Sequence, residues 1–258
     1  MPRSGRDSLI VALDVPTVDT ALKIVETLDN VSFFKVGLQL FLTGELPRLL
    51  KALRQKSLFV DLKVPGDIAN TIGSVIDLCV TMEVRFLTLS ESMPLSAIKG
   101  AKAARDKHGS KNPELLTVPF LSSLDRDDLR AMTGSDDITT HILARAGAAL
   151  AAGCDGVVAS GQEIRLCRTS FPDTIIVSPG IRPIGSSVDD HKRFTTPSEA
   201  IRLGADYLVV GRPILNSGTP RKVAEAIIDE IEQAREEKAN LRSSSSAKPN
   251  QVFMPTSF

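Results

Sequence analysis

Eight short apolar runs, each followed by a stretch with helical periodicity, restrict this chain more than any other property of its sequence. The runs are Leu9–Leu13, Phe33–Val36, Ser57–Leu62, Val84–Leu89, Leu115–Leu121, Gly156–Ala159, Thr174–Val177 and Tyr207–Val210. Several show little alternation of polar and apolar residues, the pattern of strands covered on both faces. Between them, Ala21-Leu22, Ile24-Val25 and Leu28 recur at three- and four-residue spacing, as do Leu46, Leu49-Leu50 and Leu53, which predicts amphipathic helices. Regular alternation of strand and helix implies a parallel sheet. Eight such units in 258 residues fit an α/β chain folded as a (β/α)8 TIM barrel better than a doubly wound sheet. No G-x-G-x-x-G follows the first run to favour a dinucleotide-binding fold.

The last predicted helix starts after Thr219-Pro220 and runs to about Ala239, with Val223, Ala226-Ile227 and Ile231 inward. Residues 1–240 read as one barrel domain, since no linker divides them. The serine-rich end, 241–258, reads as a disordered tail. Lysine plus arginine equals aspartate plus glutamate at 31 each, so no net field draws the chain to nucleic acid or an anionic membrane. No apolar run approaches the ~20 residues of a membrane span, and the opening MPRSGRDS is too short and polar for a signal peptide. Cys79, Cys154 and Cys167 are odd in number and sit in or beside apolar runs. They read as buried, reduced thiols of a cytoplasmic protein, and no metal site is expected from them.

In a barrel of this kind the active site lies at the C-terminal ends of the strands. The polar residues where each run stops are therefore the candidates. The first run ends in Asp14, the second in Lys35, the third in Asp61 and Lys63, and the fifth in Ser122-Ser123. The seventh leads to Gly180-Ile181-Arg182-Pro183 and the eighth to Gly211-Arg212-Pro213. Asp61 and Lys63, two apart, face the same side of a regular strand. Unless they pair or react, the desolvation of two such charges is costly. Arg182 and Arg212, each near a glycine after strands seven and eight, fit a phosphate site, where backbone approaches closely and guanidinium offers a bidentate fork. Taken singly the candidates have plainer readings: Asp14 as the start of a turn, Lys35 as a snorkelling side chain, and Asp67 as the N-cap of a helix.

These residues carry a resemblance. Phe34-Lys35-Val36-Gly37, Asp61-Leu62-Lys63, Asp67-Ile68-Ala69-Asn70-Thr71, Gly156-Val157-Val158-Ala159-Ser160, Ser178-Pro179-Gly180-Ile181-Arg182-Pro183 and Gly211-Arg212-Pro213-Ile214 closely resemble the orotidine 5′-phosphate decarboxylase family, in order from about Leu9 to Ala234. The resemblance implies a homodimer with active sites at the interface, converting orotidine 5′-monophosphate to UMP without metal or organic cofactor. It implies a charged network of Lys35, Asp61, Lys63 and Asp67, with Lys63 protonating C6 and Asp67 reaching the other subunit's site. Asp14 and Thr71 would hold the ribose, Ser122 or Ser123 the pyrimidine, and Arg212 the phosphate.

Three features depart from the family pattern. Pro65-Gly66 places Asp67 one residue further from Lys63 than in Asp-x-Lys-x-x-Asp. His191, after Asp190, stands where the phosphate loop carries glutamine, in the candidate closing loop Gly185–Lys192; a histidine can still donate to phosphate. Ser90-Glu91-Ser92-Met93-Pro94 replaces a glycine-bearing turn after strand four. Two alternatives follow: a magnesium-dependent sibling acting on a keto-sugar phosphate, such as a hexulose-phosphate synthase or ketogulonate-phosphate decarboxylase, and a non-catalytic nucleotide-binding homologue.

Overall fold

In chain order the first elements are α1 (Gly5–Ser8), β1 (Leu9–Ala12), α2 (Val18–Thr27), β2 (Phe33–Gly37) and α3 (Leu38–Phe41). Next come α4 (Leu46–Ala52), β3 (Ser57–Val64), α5 (Ala69–Thr81), β4 (Val84–Leu89) and α6 (Leu95–Lys107). They are followed by β5 (Glu114–Thr117), α7 (Arg126–Thr133), α8 (Ile138–Ala152), β6 (Gly156–Val158) and α9 (Glu163–Ser170). The last are β7 (Ile175–Ser178), α10 (Pro197–Leu203), β8 (Tyr207–Val210), α11 (Arg212–Leu215) and α12 (Pro220–Ser246). This computed structural model describes residues 4–183 and 195–246. Among them, eight parallel strands pair in sequence order and β8 returns to β1, closing a (β/α)8 barrel.

The bare apolar runs are explained by two cores. Leu9, Val11, Phe34, Leu58 and Val60 face outward and pack with the helices. The alternate residues Ile10, Ala12, Phe33, Phe59, Phe86, Leu116, Val177, Tyr207 and Val209 fill the barrel interior. Four aromatic rings form its floor: Phe86 lies 5.3 Å from Phe33, 5.8 Å from Phe59 and 5.0 Å from Tyr207, the last two edge-on.

Several boundaries differ from the sequence expectation. The fifth strand stops at Thr117 rather than Leu121, because Pro119 has no N–H to continue a ladder. The second runs to Gly37, one residue past the expected Val36. The third reaches Val64, with its register against β4 shifted between Val60 and Val64. Helix α12 passes Ala239 and extends to Ser246, since no glycine or proline interrupts it and Arg202 pairs with Glu237 at 2.9 Å. Residues 247–258 lie outside the described residues. The same helix ties the chain's two ends together: Arg235 donates to Ser4 O, Ser8 Oγ and Asp206 O.

All three cysteines are free and buried. Burial pushes Cys79 and Cys154 up to about 12, which leaves them unreactive thiols. Among the described residues no helix is long and apolar enough to cross a membrane.

Phe86 is fully buried at the floor. Phe86→Ala is expected to cost about 3–5 kcal/mol in urea denaturation through the cavity it leaves.

Candidate active site

Two residues beyond the interior apolar layer, the inward row of the first four strands turns polar. Ala12 is followed by Asp14, Phe33 by Lys35, Phe59 by Asp61 and Phe86 by Thr88. The pleat therefore lifts these polar groups to the C-terminal mouth of the barrel, above the apolar layer. A cavity of about 610 Å³ opens there. It is lined by nine of the residues singled out from the sequence: Asp14, Lys35, Asp61, Lys63, Ser122, Ser123, Arg182, Gly211 and Arg212.

Asp61 is the centre of the charged group. Its Oδ2 lies 3.2 Å from Lys35 Nζ and its Oδ1 lies 2.9 Å from Lys63 Nζ. Lys35 also donates to Asp14 Oδ1 at 2.9 Å. Gly37 leaves room for this pair: a Cβ there would lie 3.1 Å from Asp14 Oδ1 and 3.5 Å from Lys35 Nζ. Thr88, a residue that sequence reasoning missed, completes the arrangement. Its hydroxyl donates to Asp61 Oδ1 at 2.9 Å and accepts from the Lys63 backbone N–H at 2.9 Å. The one available signal was a hydroxyl-bearing residue inside an otherwise apolar run.

Simple strand alternation does not account for Lys63. Its φ is +48°, in the left-handed region that a lysine seldom enters. Such a conformation costs about 1–3 kcal/mol and persists only where neighbours hold it, here Asp61 and Thr88. The two lysines differ in access. The Lys35 side chain is 9% exposed, whereas that of Lys63 is 41% exposed.

Burial is the largest influence on Lys35 and would by itself lower its pKa. Asp61 and then Asp14 outweigh it, holding the ammonium above its ordinary 10.5. Burial likewise would raise Asp61, but Lys35 and Lys63, helped by hydrogen bonds from Lys63 and Thr88, hold the carboxyl below its ordinary 3.8. Both stay charged across the neutral range.

At the opposite wall, the loop after β7 turns at Gly180, φ +74°, and Arg182 is buried with Nη1 donating to Ile181 O at 2.9 Å. Arg212 opens the short helix α11 directly after Gly211. Glu163, also missed by sequence reasoning, lines the cavity and accepts from Ser160 N and Oγ, each at 3.2 Å. Phe59, Val118 and Phe120 add apolar wall.

Asp67 and Thr71 do not line this cavity; Asp67 is exposed on the connection into α5 and Thr71 is exposed in that helix's first turn. Nor does Asp67 cap that helix. Ile68 occupies the cap position without a side-chain bond, and the Asp67 carboxylate accepts from Ile68 N at 2.7 Å. His191 and the loop around it lie outside the described residues.

Among known proteins, a family model described as "Orotidine 5'-phosphate decarboxylase / HUMPS family" matches residues 7–227. The orotidine 5'-phosphate decarboxylase of Rhodopseudomonas palustris (strain BisB5) is 44% identical over 234 residues, 90% of this chain and 97% of that protein. That of Methylococcus capsulatus is 45% identical over 224 residues, 85% of this chain and 89% of that protein. The crystal structure of orotidine 5'-phosphate decarboxylase from Lactobacillus acidophilus superposes with a TM-score of 0.74 at 31% identity, covering 87% of this chain and 98% of that one.

The two pKa shifts set the limits of the charged group. Asp61's contribution to stability is whole above 3.8 and is lost as pH falls through its lower folded value; that of Lys35 is whole below 10.5 and is lost as pH rises through its higher one. The stability advantage of the native chain over Asp61→Asn, read by urea denaturation, is expected to be level from about pH 5 to 9 and to shrink at more acid pH.

Proposed function

The chain belongs to the orotidine 5'-phosphate decarboxylase / HUMPS family, and from that premise we infer that it converts orotidine 5′-monophosphate to UMP and CO2. The observation that carries this reading is Asp61 holding one ammonium on each oxygen, with only Lys63 substantially exposed toward the cavity. Breaking the bond between C6 and the carboxylate leaves an electron pair on C6 with no conjugated sink. Stabilisation must then come from charge already in position. Lys63 Nζ gives its proton to C6 and regains one from solvent. Lys35 keeps Asp61 ionised, and Asp61 beside the substrate carboxylate repels the ground state. Arg182 and Arg212 suit the phosphate, about which the rest of the nucleotide is oriented. Ser122 and Ser123 offer hydroxyls to the pyrimidine, and Asp14 to the ribose.

Assembly as a homodimer is part of the proposal. Exposed Leu38, Phe41 and Leu42 follow β2, Ile68 follows β3 and Leu95 follows β4, so three successive units present apolar side chains near the mouth. A second copy covering this face would receive Asp67 and Thr71 at its own cavity. The cytoplasm is the setting we propose, in keeping with three free cysteines. The two ammonium groups held against Asp61 disfavour a divalent cation at its carboxylate.

The direct test is loss of substrate absorbance when purified protein meets orotidine 5′-monophosphate in EDTA. Turnover is expected; activity on a keto-sugar phosphate that EDTA abolishes would mark the magnesium-dependent sibling, and UMP binding without CO2 release a non-catalytic homologue. Lys63→Ala is expected to lower kcat by about 10²–10⁴-fold with the fold retained. Arg212→Ala is expected to raise KM about 10–100-fold, the worth of a charged hydrogen bond, with no such effect on the unphosphorylated nucleoside.

A further inference from the structure

The turn Ser90–Pro94, which no step above employs, sits between two walls of the cavity. On one side it packs against Pro65-Gly66, where the spacing from Lys63 to Asp67 is one residue longer. Ser90 N donates to Val64 O at 2.9 Å and Ser92 Oγ to Pro65 O at 3.3 Å. Gly66 has φ +101°, and a Cβ there would lie 2.6 Å from Pro94 Cδ and 3.0 Å from Met93 Sδ. The two departures from the family pattern are thus in direct contact, immediately after Lys63.

On the other side the turn is held by α8. Arg145 Nη2 donates to the carbonyls of Glu91 and Met93, the latter at 3.2 Å. The Glu91 side chain is 15% exposed, and its Oε2 lies 3.9 Å from Nε2 of His141, itself 19% exposed. Among the described residues neither of these two atoms has a protein hydrogen-bond partner. The His141 ring stands edge-on to Phe120, 5.8 Å between centroids at 73°. Phe120 lines the cavity two residues before Ser122-Ser123. Buried polar atoms are normally hydrogen-bonded, so a carboxylate and an imidazole held together in this way call for a role.

We propose that Glu91 and His141 are positioning residues: their contact locks the turn after β4 to the loop after β5, fixing the Lys63 segment and the Ser122-Ser123 loop relative to each other. The effect on catalysis rests on the decarboxylase reading; the mechanical link does not. Burial first, against the pull of His141 and Arg145, holds the Glu91 carboxyl above its ordinary 4.5, so its charge is sensitive to whatever faces it. The charged groups that face it are His141 and Arg145, both on α8. Pro65 and Gly66 meet Ser92, Met93 and Pro94 of the same turn, and Phe120 meets His141; apart from His141, none of these residues titrates.

Glu91→Gln, His141→Gln and the double variant would be compared by hydrogen exchange and by kcat/KM. Each single change is expected to speed amide exchange about tenfold in residues 62–67 and 118–124 while leaving the rest of the barrel unchanged. Each should lower kcat/KM about tenfold, and the double variant no further, as for two residues acting as one unit. Unchanged exchange in both segments would overturn the link, whatever the activity. Faster exchange with native kcat/KM, or losses that multiply in the double variant, would overturn the positioning role. A native protein that releases no CO2 would sink the functional reading, and the exchange pattern alone would then decide the link.

Discussion

A closed parallel barrel gives each strand two rows of side chains, and the inward row has no room for a mistake. Here that row is apolar and aromatic through the floor and becomes polar one pleat from the top. The chemistry follows from that single register. Because strands β1 to β4 lie side by side, Asp14, Lys35, Asp61 and Thr88 meet without any long side chain having to search for its partner. The rigidity of the site is inherited from the ladder beneath it.

Within that frame one carboxylate sets the electrostatics. Asp61 is largely withdrawn from solvent and would be costly alone, yet two ammonium groups and a hydroxyl make it the anchor of the group. Lys63 is the exception to the regular ladder. Its left-handed backbone breaks the pairing of β3 with β4 and redirects its N–H to Thr88. The strand thus gives up regularity at the more exposed of the two lysines that line the cavity.

Much of this was legible in the sequence, and for a physical reason. Strands buried on both faces leave uninterrupted apolar runs, and the ends of those runs point to the mouth, which is how Lys35, Asp61, Lys63 and Arg212 were found. Thr88 was hidden because a β-branched residue suits a strand whether or not its hydroxyl has work to do. Glu163 was hidden because its partner, Ser160, belongs to local turn geometry rather than to a strand end. The left-handed Lys63 leaves no trace in residue type. The link from Glu91 to His141 joins positions fifty residues apart and depends on how α8 lies against the barrel. The fifth strand was overextended because Val118, Phe120 and Leu121 are apolar for the cavity wall, not for the ladder.

Closure of the barrel by β8 against β1, with Arg235 of α12 bonded to Ser4 and Ser8, has a consequence for how the chain is made. Strand β1 has one edge that no later element fills until nearly two hundred residues have followed. Contacts so distant in sequence are slow to form, and an unpaired apolar edge invites other chains in the meantime. Until β8 arrives, a half-made barrel therefore keeps one apolar strand edge open to pairing.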